Sequence, residues 1–151
     1  MKRLFFLATV IGCLSFMFKK PKKFKTADNC EFIPSGSMVE NGETISVNAF
    51  WMLQHEVTNF EYKTFLNQLK TEGKTELYNK AYPDTSAWVE LGGYLYPMKD
   101  SYFSHPAYNE YPVVNIPKEG AELFCAYLTE LFKAKYGDVL EKFRLPTKHE
   151  W

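Results

Sequence analysis

The chain has 151 residues, 46% hydrophobic and 24% charged, the balance of one globular domain and too apolar for a disordered one. Eight Gly, eight Pro and three Cys exclude a collagen-like repeat and a disulfide mini-scaffold, and no apolar run reaches the roughly 20 residues that span a bilayer core. The zero net charge hides a segregation: residues 1–25 hold seven basic side chains and no acid, leaving 11 basic against 18 acidic in the other 126, an acidic body that argues against nucleic acid as a partner.

Lys2 and Arg3 followed by Leu4 to Ile11 have the layout of a secretory signal, which predicts export to the cell envelope or periplasm. Val10-Ile11-Gly12-Cys13 resembles the lipobox of bacterial lipoproteins, making Cys13 the candidate for lipidation. Because the apolar run continues through Leu14, Phe16, Met17 and Phe18, an uncleaved anchor or a later cleavage site stays open as an alternative. Residues 1–18 are thus read as a signal segment and 19–29 as a basic tether, where Lys19, Lys20, Lys22, Lys23 and Lys25 repel one another and favour an extended chain. Export also permits a disulfide between Cys30 and Cys125, although their separation in sequence says nothing about their distance in space.

Cys30 to Pro34 and Thr44 to Met52 read as strands, separated by turn-formers from Ser35 to Gly42. A helix follows, with Thr58 and Glu61 at capping-box spacing and Val57 against Tyr62 as a hydrophobic staple. Tyr62, Phe65, Leu66 and Leu69 fall on one apolar face, and Gly73 is the expected stop. From Tyr78 to Val114 no periodicity lasts, yet nine aromatics alternate with prolines and glycines. This predicts ordered loops held down by aromatic plugs, in preference to sugar- or peptide-stacking platforms.

A second helix is expected from Pro117 to Tyr136, with Gly137 as its left-handed cap and Ala121, Phe124, Cys125, Leu128 and Phe132 as its buried stripe. On that stripe Cys125 reads as a small core residue, with nothing nearby to activate its thiol. Gly120 should weaken the helix slightly. Thr147 and Glu150 repeat the capping-box spacing, so a third helix is expected to start there, and a start signal at the chain's end suggests an amino-terminal half of a larger domain. His55 and His105 lack close-set Cys or His partners and predict no zinc site. Asp84 beside Thr85 reads as turn chemistry, and no phosphate-binding glycine loop or nucleophile elbow is present.

Four blocks carry a family resemblance. Arg144-Leu145-Pro146-Thr147-Lys148-His149-Glu150-Trp151 is similar to the RLPTEAEW signature of the formylglycine-generating enzyme, or sulfatase-modifying factor, domain. Phe32 to Met38 resembles that family's opening FxPGGxFxMG. Glu56-Val57-Thr58-Asn59 through Tyr62 resembles its EVTNxxY, and Pro112-Val113-Val114 with Ala121 to Cys125 its PVVxVxWxxAxxYC. In the middle, Tyr82-Pro83-Asp84-Thr85 with Trp88, and Tyr102 to Tyr108, resemble the version of the domain found in lipoproteins of gliding motility and type IX secretion. Two departures stand out: Pro117-Lys118 where the family has Ser or Thr followed by Trp, and Lys148-His149 where it has Glu-Ala.

The resemblance implies an α+β, loop-rich, C-type lectin-like fold over residues 30–151, of which only the amino-terminal half is present. It also implies that the copper-binding cysteine pair and the calcium sites of active members lie outside this sequence. No catalytic, cofactor or metal residue is therefore carried over, and Glu56, Val57, Thr58, Asn59, Arg144, Leu145, Pro146, Thr147, Glu150 and Trp151 are expected to be structural. Three functions follow from it: a noncatalytic scaffold lipoprotein with cell-envelope protein partners and a membrane-bound amino terminus; the front half of an oxidase that converts a cysteine of a client sulfatase to formylglycine; or a lectin-like binding module.

Overall fold

The computed structural model describes residues 29–90, 93, 96–137 and 142–151. The signal segment, Cys13 and nearly all of the tether lie outside the described residues.

Four strands come first: β1 Cys30–Ile33, β2 Gly36–Glu40, β3 Glu43–Val47 and β4 Phe50–Leu53. They form two antiparallel ribbons, β2 with β3 and β1 with β4, so one hairpin is nested inside the other. This corrects the two-strand reading. The stretch from Ser35 to Gly42 is a turn only at Asn41 and Gly42, whose φ values of 53° and 83° supply the two left-handed positions of a tight hairpin matched to strand twist. The residues before that turn pair as β2, and Thr44 to Met52 divides at Asn48, where the pairing partner changes from β2 to β1.

No strand residue is buried. Two-stranded ribbons are marginal by themselves, and further contacts supplement the two ladders, first within the β1–β4 ribbon and then from outside it. Gln54 N donates to Asn29 O at 2.9 Å, and Gln54 Nε2 to Glu31 at 3.0 Å. At the hairpin tip, Glu40 pairs with both Lys148 and His149.

Helix α1, Asn59–Thr71, begins with the full reciprocal capping box of Thr58 and Glu61 and stops before Gly73 at φ 70°. Its Tyr62, Phe65, Leu66 and Leu69 are buried, with Val57 packed on the same cluster. The remaining helices are α2 Thr75–Ala81, α3 Ala87–Glu90, α4 Tyr96–Ser101 and α5 Lys118–Tyr136, with a single 3-10 turn at Pro106–Tyr108. The 78–114 segment thus holds short helices where irregular loop was expected. None of them reaches eight residues, too short to stand without tertiary support.

α2 and α5 converge on α1 at one point. Tyr62 Oη donates to Ala81 O at 2.7 Å, and Gly120 of α5 lies directly against that pair. Phe65 and Phe124 meet edge-on at 5.6 Å, a geometry worth about 0.5–1.5 kcal/mol beyond burial. The plug reading fits Phe103, which is buried, and the stacked, half-buried Tyr102 and Tyr108. It does not fit Tyr111, which is 53% exposed.

α5 opens on Pro117 without a side-chain cap, the consequence of the Pro117-Lys118 departure. Its stripe is only partly buried: Phe124 and Phe132 are inside, while Ala121, Cys125 and Leu128 are half-exposed. Gly137 closes the helix at φ 84°, ψ −167°, extended rather than left-handed helical, in a region that still favours glycine.

Candidate functional sites: an acidic cleft and an apolar groove

The cleft rests on a shelf built by two distant segments. Val113 N donates to Val57 O at 2.8 Å, Asn59 N to Tyr111 O at 2.8 Å and Phe60 N to Asn109 O at 2.9 Å. Asn59, fully buried, adds side-chain bonds from Nδ2 to Tyr108 O at 2.9 Å and Tyr102 O at 3.3 Å. An aspartate there would lack these donors. Tyr102 Oη closes the far side on Pro112 O at 2.8 Å.

Above this shelf lies an open cleft of about 670 Å³ lined by His55, Glu56, Thr58, Phe60, Glu61, Glu110 and Pro112. Glu61 is committed to the helix start, its Oε2 accepting from Thr58 N at 2.8 Å and Thr58 Oγ1 at 2.9 Å. The His55 ring is engaged through Nδ1 with Glu56 O at 2.9 Å. Among the described residues the carboxylates of Glu56 and Glu110 have no hydrogen-bond or ion-pair partner. No Lys or Arg lines the cleft. The nearby Lys63 is held by Asn109 Oδ1 at 2.6 Å and lies 5.7 Å from the Phe103 ring centre. Desolvation lowers its pKa.

The groove, about 520 Å³, lies between β4 and α5 and is lined chiefly by apolar side chains, including Trp51, Met52, Leu53, Phe124, Leu128, Phe143 and Leu145. Cys30 and Cys125 both face it as free thiols. Burial raises both pKa values, and the charge of Glu122 raises that of Cys125 further. Both thiols are therefore protonated at neutral pH and poor nucleophiles.

Residues 142–151 run along the groove's edge. Arg144 holds Glu150 through two bonds of 2.7 and 2.6 Å, the fork geometry that fits a carboxylate. Glu150 also accepts from Thr147 N at 2.8 Å. Arg144 first, and then the Thr147 amide, hold its pKa down at about 2. The expected capping box is present in this half only, because Glu150 N donates to Thr147 O at 3.2 Å instead of to the hydroxyl. In place of a third helix there is one turn, closed by Trp151 N to Thr147 O at 3.2 Å. Lys148 and His149 use their side chains on Glu40. Leu145 and Pro146 line the groove, and Trp151 stands 87% exposed at its rim.

The other singled-out residues occupy local roles. His105 Nδ1 accepts from Ala107 N at 3.1 Å and caps the 3-10 turn. Asp84 accepts from Ser86 N at 2.9 Å and Ser86 Oγ at 2.6 Å, bonds that lower its pKa. Among the described residues no three His, Cys, Asp or Glu side chains are grouped to hold a metal ion, and no helix is long and apolar enough to cross a membrane. Sequence reasoning missed Phe60 and Glu110 as cleft residues. The readable signal was Phe60, an aromatic in the first turn of α1 that falls off the apolar face.

Comparison with curated proteins and with solved structures gives no match. The family model for the sulfatase-modifying factor enzyme 1-like domain matches residues 17–151. With its α+β build of small antiparallel ribbons and helices joined by long loops, this chain belongs to that sulfatase-modifying-factor family.

Proposed function

We propose that this chain is a noncatalytic scaffold of the sulfatase-modifying-factor type, exported and held at the cell envelope through its amino terminus, with Cys13 as the lipidation site. Its service is to gliding motility or protein secretion, as the resemblance of the 82–108 segment suggests, and the fold in this reading is C-type lectin-like. The observation that carries it is the state of the thiols. Cys30 and Cys125 sit on separate elements, β1 and α5, both free and both protonated, whereas a copper oxidase needs paired thiolates around a soft cation.

The test is an assay of peptide-cysteine oxidation with the purified chain and added copper. No turnover above the copper-only control is expected, and enzyme-dependent turnover overturns the proposal. Incorporation of labelled palmitate in cells, lost in Cys13→Ala, tests the anchor. One observation favours the oxidase alternative, the front half of a formylglycine-generating enzyme: three sulfur atoms, from Cys30, Met52 and Cys125, line a single groove. A front half without the copper-binding pair would also be silent in that assay, so the two are separated by reading the coding sequence past the Trp151 codon, where a cysteine pair favours the oxidase and its absence the scaffold.

A further inference from the structure

The acidic cleft has a chemistry that the scaffold reading leaves unused. Two carboxylates without a hydrogen-bond or ion-pair partner among the described residues, Glu56 and Glu110, share it with Phe60, which is 56% exposed on the first turn of α1. Tyr111, 53% exposed, lies between the lining residues Glu110 and Pro112. The carboxylates are too dispersed to hold a metal ion with a third ligand. Dispersed acids beside exposed rings suit an extended cationic segment, whose ammonium groups reach separate carboxylates while its methylene stems and any aromatic lie on the rings.

This chain contains one such segment. Lys19-Lys20-Pro21-Lys22-Lys23-Phe24-Lys25 carries five of the seven positive charges of the first 25 residues and one aromatic. The acids of the chain all lie beyond it. Asn29, the first described residue after this run, is tied beside the cleft: its O accepts from Gln54 N at 2.9 Å, and the residue after Gln54, His55, lines the cleft. From Lys25 to Asn29 is four residues, a reach of up to about 14 Å. A connection this short places the lysines at an effective concentration in the millimolar range, so individually weak contacts suffice.

We propose that the Lys19–Lys25 run docks in the cleft of its own domain, its ammonium groups on Glu56 and Glu110 and Phe24 against Phe60. Docking there couples the membrane-proximal end of the chain to the start of α1. It also withdraws the lysines from any anionic surface.

Zero-length carbodiimide crosslinking of the full chain in neutral detergent tests this, with an equal mixture of 15N-labelled and unlabelled protein. Amides joining Lys19–Lys25 to Glu56 or Glu110 within one chain are expected. They should fall at least fivefold in 0.5 M salt, because the contacts are solvent-exposed and screened, and at least fivefold in Glu56→Gln/Glu110→Gln. That variant should melt at the parental temperature, since among the described residues neither carboxylate has a hydrogen bond or ion pair to lose. If the variant proves unstable, the salt dependence of the parental crosslinks decides alone. Amides spread evenly over surface carboxylates such as Glu76 and Glu130, amides formed only between labelled and unlabelled copies, or no amide from this run would each overturn the proposal.

Discussion

Replacing Gly120 with alanine sets two helix effects against each other. Alanine improves intrinsic helix propensity by up to about 1 kcal/mol, less in a first turn. A Cβ at that position would sit 2.6 Å from Tyr62 Oη, 3.0 Å from Ala81 Cα and 3.1 Å from Ala81 O. Two of those atoms are backbone, and the third belongs to a fully buried ring whose hydroxyl is bonded to Ala81 O at 2.7 Å. Either the hydroxyl moves and leaves a buried polar group unpaired, costing about 1–3 kcal/mol, or α5 moves off α2 with an overpacking cost of about 1–3 kcal/mol. Relaxation will mix the two, and subtracting a first-turn propensity gain of about 0.5 kcal/mol leaves a net loss of about 1.5 kcal/mol. In thermal melts followed by circular dichroism this should lower Tm by about 5 °C. Tyr62→Phe supplies the internal check. Alone it loses the bond to Ala81; combined with Gly120→Ala it also removes the nearest clashing atom, so the two substitutions should be less than additive by about 1 kcal/mol. A Gly120→Ala protein that melts at or above the parental temperature would refute the close-approach argument and restore the simpler view of Gly120 as a weak helix residue.

Thr58→Ala removes one half of the capping box that starts α1 and should cost about 1–2 kcal/mol in a denaturant titration, with Thr58→Ser restoring most of it. The Glu150 carboxyl should titrate near pH 2 by NMR; its contribution to stability is complete above the ordinary glutamate range and is lost as pH falls toward 2, so acid unfolding of Glu150→Gln should be less steep in that window. In Arg144→Lys, which cannot form the two-pronged bond, the Glu150 midpoint should move up. Alkylation of Cys30 and Cys125 by iodoacetamide, resolved by peptide mass spectrometry, should be slower at pH 7 than that of a free cysteine and should go on accelerating at alkaline pH after the free cysteine has levelled off, because burial raises both thiols.

Helix ends were the most legible part of this fold. The Thr58–Glu61 spacing, the i, i+3, i+4, i+7 face of Tyr62 to Leu69 and the Gly73 stop locate α1, because those signals act within one or two turns of chain. Strand pairing was less legible. Asn41-Gly42 marks a hairpin, but the surrounding turn-formers masked β2, and the nesting of β2–β3 inside β1–β4 depends on contacts twenty residues apart. Gly120 and Asn59 were misjudged or undervalued for the same reason. The need for a missing Cβ in one and for two side-chain donors in the other arises only when α2 and the 102–113 loop arrive. The cleft was illegible as a site because Glu56, Phe60 and Glu110 come together only once residues 109–113 zip along residues 57–60.

Two of the four family blocks, those holding Asn59 and Glu150, solve one kind of problem. A fold with no buried strand residue and long loops cannot fix its loops by core packing alone, so it needs polar side chains that each bind two places at once. Asn59 joins the start of α1 to the carbonyls of residues 102 and 108. Glu150 joins Arg144 to the Thr147 amide, and its neighbours Lys148 and His149 reach the hairpin at Glu40. Each tie is short-ranged and directional, so a substitution should loosen one junction rather than hollow out a core. The groove between those junctions stays open, with its apolar wall on α5 positioned by residues that themselves stay at its edges. This division, in which polar motifs set geometry and apolar surface is left for contact, is compatible with the scaffold role proposed above.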